Sequence, residues 1–199
     1  MKKFVSFLGN EVVLGLLIAL LSVLTAVASY QGALADGAQN DFEIQGMKSL
    51  NDGNVLYLES NQIWIQDDGN YDNWYINQDI SPDIAAYYEG NFTELLAGAI
   101  ERNGADEYPI DDEYVNELYA DAYELFDESD ASFQTANDWN GRGDQLQLVL
   151  TIMAIGLAFA AWASLNKEES NLRGFFSLLA IVSLIIGLIV YLSVPVIAS

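Results

Sequence analysis

Apolar positions recur at helical spacing along most of the chain, and three stretches lose their charged positions altogether. The organising stretch runs from Asp111 to Leu165 and reads as one helix with two halves. In its first half, Val115, Tyr119, Ala122, Phe126, Ser129, Phe133 and Ala136 form one mostly apolar stripe at spacings of three and four. Glu113, Glu117, Asp121, Glu124 and Glu128 occupy the opposite side. Like charges three and four residues apart repel, and no Lys or Arg falls between Asp111 and Gly141 to offset them. This half therefore needs packing, a bound cation or a partner. Asp111 or Asp112 caps its start, with Pro109 just upstream. The second half, Leu146 to Leu165, carries no charge and is long enough to span a bilayer. Gly141-Arg142-Gly143, just outside that span, is the point where the helix would bend.

Val12 to Tyr30 and Gly174 to Val194 are the other two spans. A signal peptide competes for the first, because Ala26-Val27-Ala28 has the small-x-small form of a cleavage site. Glu11, placed where a signal peptide carries positive charge, favours an uncleaved anchor. Each span has a row of small residues that would let helices approach closely in lipid. These are Gly15, Ala19, Ser22, Ala26 and Ser29; Ala154, Ala158 and Ala161; and Ser177, Ala180, Ser183 and Gly187. Either they form a seam between subunits or they meet the chain's own spans.

Beyond the first span the helical pattern continues. Ile44, Met47, Asn51, Val55, Leu58, Gln62 and Ile65 are spaced 3, 4, 4, 3, 4 and 3 apart, with Leu50, Tyr57 and Trp64 as a neighbouring row. Gly46, Gly53 and Ser60 make a small row seven residues apart, and a close-packed neighbour would explain it, since helical Gly costs about 1 kcal/mol against Ala. Ala35–Gln66 and Asp111–Asn140 as helices would run roughly 48 Å and 45 Å, which predicts an antiparallel helical hairpin. Asp67 to Asp79 reads as the polar, turn-rich tip. Ser81-Pro82-Asp83 and Asn91-Phe92-Thr93-Glu94 each read as a helix start, the second capped by Asn91 and ending at Asn103-Gly104. Asn91-Phe92-Thr93 also matches a glycosylation sequon, which in a prokaryotic protein is a chance match.

Charge sets an orientation. Lys2, Lys3, Lys167 and Arg173 flank the spans on one side, which is the expected cytoplasmic side. The expected division is a cytoplasmic N-terminus (1–11), a span (12–30), an acidic helical extracytoplasmic domain (31–145), a span (146–165), a cytoplasmic loop (166–173) and a span (174–196), all in a prokaryotic plasma (inner) membrane. Tyr30, Trp139 and Tyr191 at one boundary and Trp162, Phe175 and Phe176 at the other suit an aromatic belt. Of the 29 acidic residues in this 199-residue chain, only Glu11, Glu168 and Glu169 lie outside Gln31 to Gln145, and the basic residues inside are Lys48, Arg102 and Arg142. Such a field repels nucleic acid and attracts cations; adaptation to high salt would produce the same acidity. The exit Thr25-Ala26-Val27-Ala28-Ser29-Tyr30-Gln31-Gly32-Ala33, the helical segment after it and the final pair of spans resemble an uncharacterised bacterial family of three-span membrane proteins, classed as a domain of unknown function. The resemblance implies this topology and supplies no catalytic motif.

The chain has no Cys and no His, which removes thiol nucleophiles, imidazole bases and the common zinc sites. No span interior holds an ionisable residue, which argues against a proton relay. No phosphate loop or nucleophile elbow occurs. Asp68, Asn70, Asp72 and Asp79 fall at positions 1, 3, 5 and 12 of a calcium-loop pattern, and alternate oxygens on a tight turn would suit Ca²⁺. Asn73 stands where that loop wants Gly, and Asp79 where it wants Glu. Tyr87, Tyr88, Tyr108, Tyr114, Tyr119 and Tyr123 suit either an interface or ordinary packing. The expected protein is all-α: three transmembrane helices with a long helical-hairpin ectodomain. The expected role is a non-enzymatic accessory or scaffold subunit, self-associating or joined to other membrane-protein subunits. The alternative is a sensor responding to divalent cations, or a subunit of an oligomeric ion channel.

Overall fold

The computed structural model describes residues 10–104, 107–168 and 170–197, and these contain five helices and no strand. They are α1 (Glu11–Asn77), α2 (Pro82–Glu89), α3 (Glu94–Asn103), α4 (Asp112–Leu165) and α5 (Asn171–Ser193). Three of them, α1, α4 and α5, are long and apolar enough to cross a membrane. The chain divides into two units. One comprises Met1–Glu43 with Gln134–Ser199, and the other Ile44–Phe133.

In the first unit, Leu17, Leu21 and Ala28 of α1 share a core with Val149, Met153 and Ala160 of α4 and Ala180 of α5. Small residues set the separation of the helices. A Cβ on Gly156 would lie 3.0 Å from both Leu21 and Ser183, and one on Gly187 would lie 2.6 Å from Met153. Ser177, Ala180, Ser183 and Gly187, the expected small row of the last span, are accordingly buried against the chain's own helices. The other two rows are not. Gly15, Ala19, Ser22, Ala26 and Ser29 are exposed, as are Ala154, Ala158 and Ala161. On α4 the inward small face is Gly156, Ala160 and Ala163. That span is small-residued on two sides, so composition alone does not pick the inward one. A groove of about 290 Å³ lies between α1 and α4, with Ser29, Ala33, Gly143 and Gln147 among its walls. Gln31 Nε2 donates to Tyr191 Oη at 2.9 Å, so the end of the first span and the end of the last lie together. α4 passes through Gly141 and Gly143 without interruption. α5 starts at Asn171 with Ser170 as its cap, three residues before the expected start, and so carries Arg173 into the helix. Lys2 and Lys3, which entered the orientation argument, lie outside the described residues.

In the second unit the small row of α1 is the packing face. A Cβ on Gly46 would sit 3.0 Å from the Phe133 ring, and one on Gly53 2.8 Å from the Phe126 ring. Ser129 Oγ donates to the Gly46 carbonyl at 2.9 Å and Ser60 Oγ to the Leu118 carbonyl at 2.8 Å. As the α1 number rises, its α4 partner number falls. The apolar stripe of α4 turns inward as its spacing predicts, and Glu113, Glu117, Asp121, Glu124 and Glu128 are all exposed. The stripe of α1 does not turn inward: Ile44, Met47, Asn51, Val55, Leu58, Gln62 and Ile65 are exposed. Its apolar residues are outcompeted because the glycine row lets two backbones approach around interleaved Phe rings, which larger side chains would hold apart.

Two local expectations are corrected. Asp67–Asp79 is not a turn: α1 runs on to Asn77. The asparagines that suggested a turn bond back four residues along the helix, Asn73 Nδ2 to the Gly69 carbonyl and Asn77 Nδ2 to the Asn73 carbonyl. The cap of α3 is Thr93, not Asn91; its Oγ1 accepts from Leu96 N at 3.1 Å. Gly104 ends α3 at φ 86°, a left-handed conformation that favours glycine. Phe92, α3 and the ends of α1 and α4 close over Tyr71, Leu96, Ala99 and Tyr114.

Candidate functional site

Two features of the second unit stand out: a polar anchor that ties α3 to the long helices, and an uncovered face of α1.

The anchor is Asp67. It lies seven residues beyond Ser60, on the same row as Gly46 and Gly53, and it is fully buried. Its Oδ2 accepts the hydroxyls of Thr93 and of Tyr114, the latter at 2.8 Å, and its Oδ1 accepts a longer bond from Thr93 N. One carboxylate thus ties α1 to α3 and α4. Beside it, Tyr108 donates to Asp68. Below, Asp111 caps α4 through Tyr114 N at 2.8 Å and accepts from Arg102 and Asn103. Arg102 also reaches Glu113 at 3.3 Å. The charge that offsets the first turn of α4 therefore comes from α3, outside the stretch where the sequence shows no base. Asp67 was missed as a site residue. Its signal was the seven-residue continuation of the small row.

This anchor makes stability depend on pH at both extremes. The Tyr114 N–H, then Asn103, then Arg102 hold the Asp111 carboxyl below the ordinary carboxylate range. A depressed folded value stabilises above the unfolded value, near 4, and that contribution is lost as pH falls through the folded one. Burial, and then the bonds to Asp67 and Asp68, push the Tyr114 and Tyr108 hydroxyls above their ordinary range. A raised folded value stabilises fully below the unfolded value, about 10, and its contribution declines as pH rises beyond it. Unfolding midpoints measured across the acid and alkaline limbs should fall at both ends. Asp111→Asn should flatten the acid limb and Tyr114→Phe the alkaline limb. Unchanged limbs in these variants would show that neither group is coupled to folding.

The four calcium-loop residues are not assembled on a loop. Asp68, Asn70 and Asp72 lie within α1, and Asp79 lies beyond its end. On a helix, residues four apart share a face and residues two apart diverge by about 200°, so Asp68 and Asp72 lie on one side and Asn70 on another. Asn70 Nδ2 donates to the Asn91 carbonyl and Asp68 accepts from Tyr108, so both serve contacts within the unit. Of the tyrosines singled out, Tyr114 and Tyr119 are buried, Tyr119 donating to Asn61 at 2.8 Å and packing at a tilt against Tyr57. Tyr87, Tyr108 and Tyr123 are exposed.

The uncovered face belongs to α1. Ile44 is 65% exposed, Met47 64%, Leu58 61% and Ile65 64%, all on one side, opposite the Gly46–Gly53–Ser60–Asp67 row. The stripe has six steps over 21 residues, a mean of 3.5, the period that keeps one seam facing a partner helix. None of its seven residues is charged, and Lys48, Asp52 and Glu59 are the charged residues between Ile44 and Ile65.

No family model, no curated protein and no solved structure matches the chain.

Proposed function

We propose that this protein is a non-enzymatic scaffold or accessory subunit, anchored in a prokaryotic plasma membrane by three spans, that self-associates through its acidic helical ectodomain. In this reading residues 31–145 are extracytoplasmic and form an antiparallel hairpin of α1 against α4, in keeping with the falling partner numbers. The observation that carries the reading is the exposed stripe from Ile44 to Ile65. Burying a large apolar side chain stabilises by about 1.5–3 kcal/mol, so a row of them left in water favours a partner. A second copy fits. The stripe has the period of a two-helix seam, and Asn51 on it can pair with its own counterpart across a two-fold axis. Its seven uncharged residues avoid the repulsion that two copies would suffer if they met through the acidic face of α4.

Because the chain has no Cys, a single introduced thiol is an unambiguous reporter. Leu58→Cys should cross-link into a dimer under mild oxidation in membranes, and Asp121→Cys, on the acidic face of α4, should not. Met47→Glu with Leu58→Glu should weaken association at least tenfold per site, on the order of 1.4 kcal/mol each, without unfolding the monomer, since both positions are exposed. A monomeric wild-type mass in native lipid would overturn self-association. Co-purified foreign subunits would assign the face to them, and ion flux in proteoliposomes would favour the channel alternative.

A further inference from the structure

The groove between α1 and α4 in the first unit is open and carries its own chemistry. Its floor is buried Ala28, Gly143 and Leu146, while Ser29, Asp36 and Gln147 line it as exposed polar residues. No hydrogen bond or ion pair among the described residues engages the Ser29 hydroxyl, the Asp36 carboxylate or the Gln147 amide. Asp36 leans across from α1, because a Cβ placed on Gly143 of α4 would lie 3.0 Å from its Oδ1. The groove also straddles a charge boundary. Asp36 is the first charged residue of α1 after Glu11, and Asp144 is the last of α4. Beyond them, both helices carry runs apolar enough to cross a membrane. One end of the groove therefore faces headgroups and the other faces hydrocarbon.

The walls change character in the order in which a phospholipid does. At the polar end stands Asp36, the one charged residue among them, and it accepts hydrogen bonds only. An ammonium group, with three donors and a positive charge, is its complement. Gln147 and then Ser29 lie deeper, and each can donate to a phosphate or ester oxygen. Leu150 and Ala28 follow with apolar surface. Asp36 and Ser29 are seven residues apart, roughly 10 Å along the helix, which suits the reach from a headgroup amine to the glycerol esters. An anionic headgroup would be repelled by Asp36 and by exposed Asp144 beside it. Arg142, the nearest base in sequence, is engaged with the Pro195 carbonyl. We infer that this groove binds a phospholipid with a primary-amine headgroup, its ammonium on Asp36 and its phosphate and ester oxygens on Gln147 and Ser29. The site lies within one copy of the chain, so it does not depend on self-association.

The test uses the full chain in an uncharged detergent. Melting is followed with added short-chain phosphatidylethanolamine, with phosphatidylglycerol or phosphatidylcholine of the same chain length, or with the soluble headgroup glycerophosphoethanolamine. Phosphatidylethanolamine should raise the melting temperature by roughly 5 °C or more well above half-saturation. Phosphatidylglycerol should give no comparable rise, and phosphatidylcholine, whose ammonium has no N–H, a smaller one. Asp36→Asn removes the charge and should abolish the preference for phosphatidylethanolamine over phosphatidylglycerol. Ala33→Phe keeps the charge but fills the groove, and it should raise the half-maximal lipid concentration at least tenfold. Both positions are exposed, so both variants should melt like wild type without lipid; should one not fold, the other carries the test. A rise with phosphatidylglycerol or phosphatidylcholine equal to that with phosphatidylethanolamine would overturn the proposal, as would an unchanged response in either variant. An equal rise with glycerophosphoethanolamine would overturn the assignment to a membrane lipid.

Discussion

Replacing Asp67 with Ala should cost the second unit about 3–5 kcal/mol, because several buried donors lose one acceptor at once. The Tyr114 and Thr93 hydroxyls and the Thr93 N–H all end on this carboxylate, and Asp67 and Tyr114 have no exposure to water that could replace it. A hydrogen bond to a charged group is worth about 1.5–3 kcal/mol, and each orphaned buried donor adds its own desolvation penalty. The loss also spreads through the fold. Thr93 is the cap of α3, and without Asp67 its hydroxyl is no longer aimed. Leu96 and Ala99 on that helix help to form the local core, so α3 should detach with it. Tyr114→Phe is the graded companion. It keeps the ring in the core and removes one bond, for an expected loss of about 1.5–3 kcal/mol. Hydrogen exchange of α3 amides reads both variants, since it reports local opening separately from the membrane-length helices. Protection of α3 equal to wild type in Asp67→Ala would show that the carboxylate is not the anchor.

The elements themselves were legible because their patterns are long. α4 was read to within a residue at its start and at its end, since the apolar stripe and the acidic face of its soluble half point the same way. The pairing of Gly46, Gly53 and Ser60 with a close neighbour was legible for the same reason: three small residues seven apart are costly in a helix unless something approaches them. What misled was the rule that the most apolar face is the buried one. On α1 two faces compete, and sequence alone cannot say that the glycine row wins. Its advantage lies in the Phe126 and Phe133 rings of a helix more than seventy residues away. The end of α1 was misread for a different reason. Asp, Asn and Gly between Asp67 and Asn77 have turn propensity, but Asp67 is fixed by α3 and α4, and tertiary contact overrides local preference. Arg173 was read as a loop residue because the chain continues as helix three residues earlier than its apolar run suggests.

The glycine row also supplies the sharpest contrast between substitutions. Gly53→Leu should lose at least about 3 kcal/mol, whereas Gly69→Ala on the same helix should gain about 0.5–1 kcal/mol. Both glycines are inside α1, so each pays the backbone-entropy penalty that alanine relieves. They differ in what a side chain meets. At Gly69 nothing lies within 4 Å of an added Cβ. At Gly53 a Cβ would lie 2.8 Å and 2.9 Å from two atoms of the Phe126 ring and 3.2 Å from Leu125 Cβ. The ring could tilt, but it is flanked by Tyr57 and Tyr123 with centroids 6.4 Å away on each count. Leu125 Cβ is fixed to the backbone of α4 and can yield only if the helices part. Gly53→Ala should therefore lose about 1–3 kcal/mol to overpacking, less the roughly 1 kcal/mol gained in helix propensity. In Gly53→Leu the further atoms have no such offset. Phe126→Ala leaves a cavity when made alone, and it should cost less in the Gly53→Leu background than in wild type, because the new leucine fills part of that space. Urea unfolding of the four chains gives this coupling directly. Equal gains from Gly53→Ala and Gly69→Ala would mean that α1 and α4 are not in close contact at Gly53. Strictly additive losses for Gly53→Leu and Phe126→Ala would mean that the two residues do not share one space.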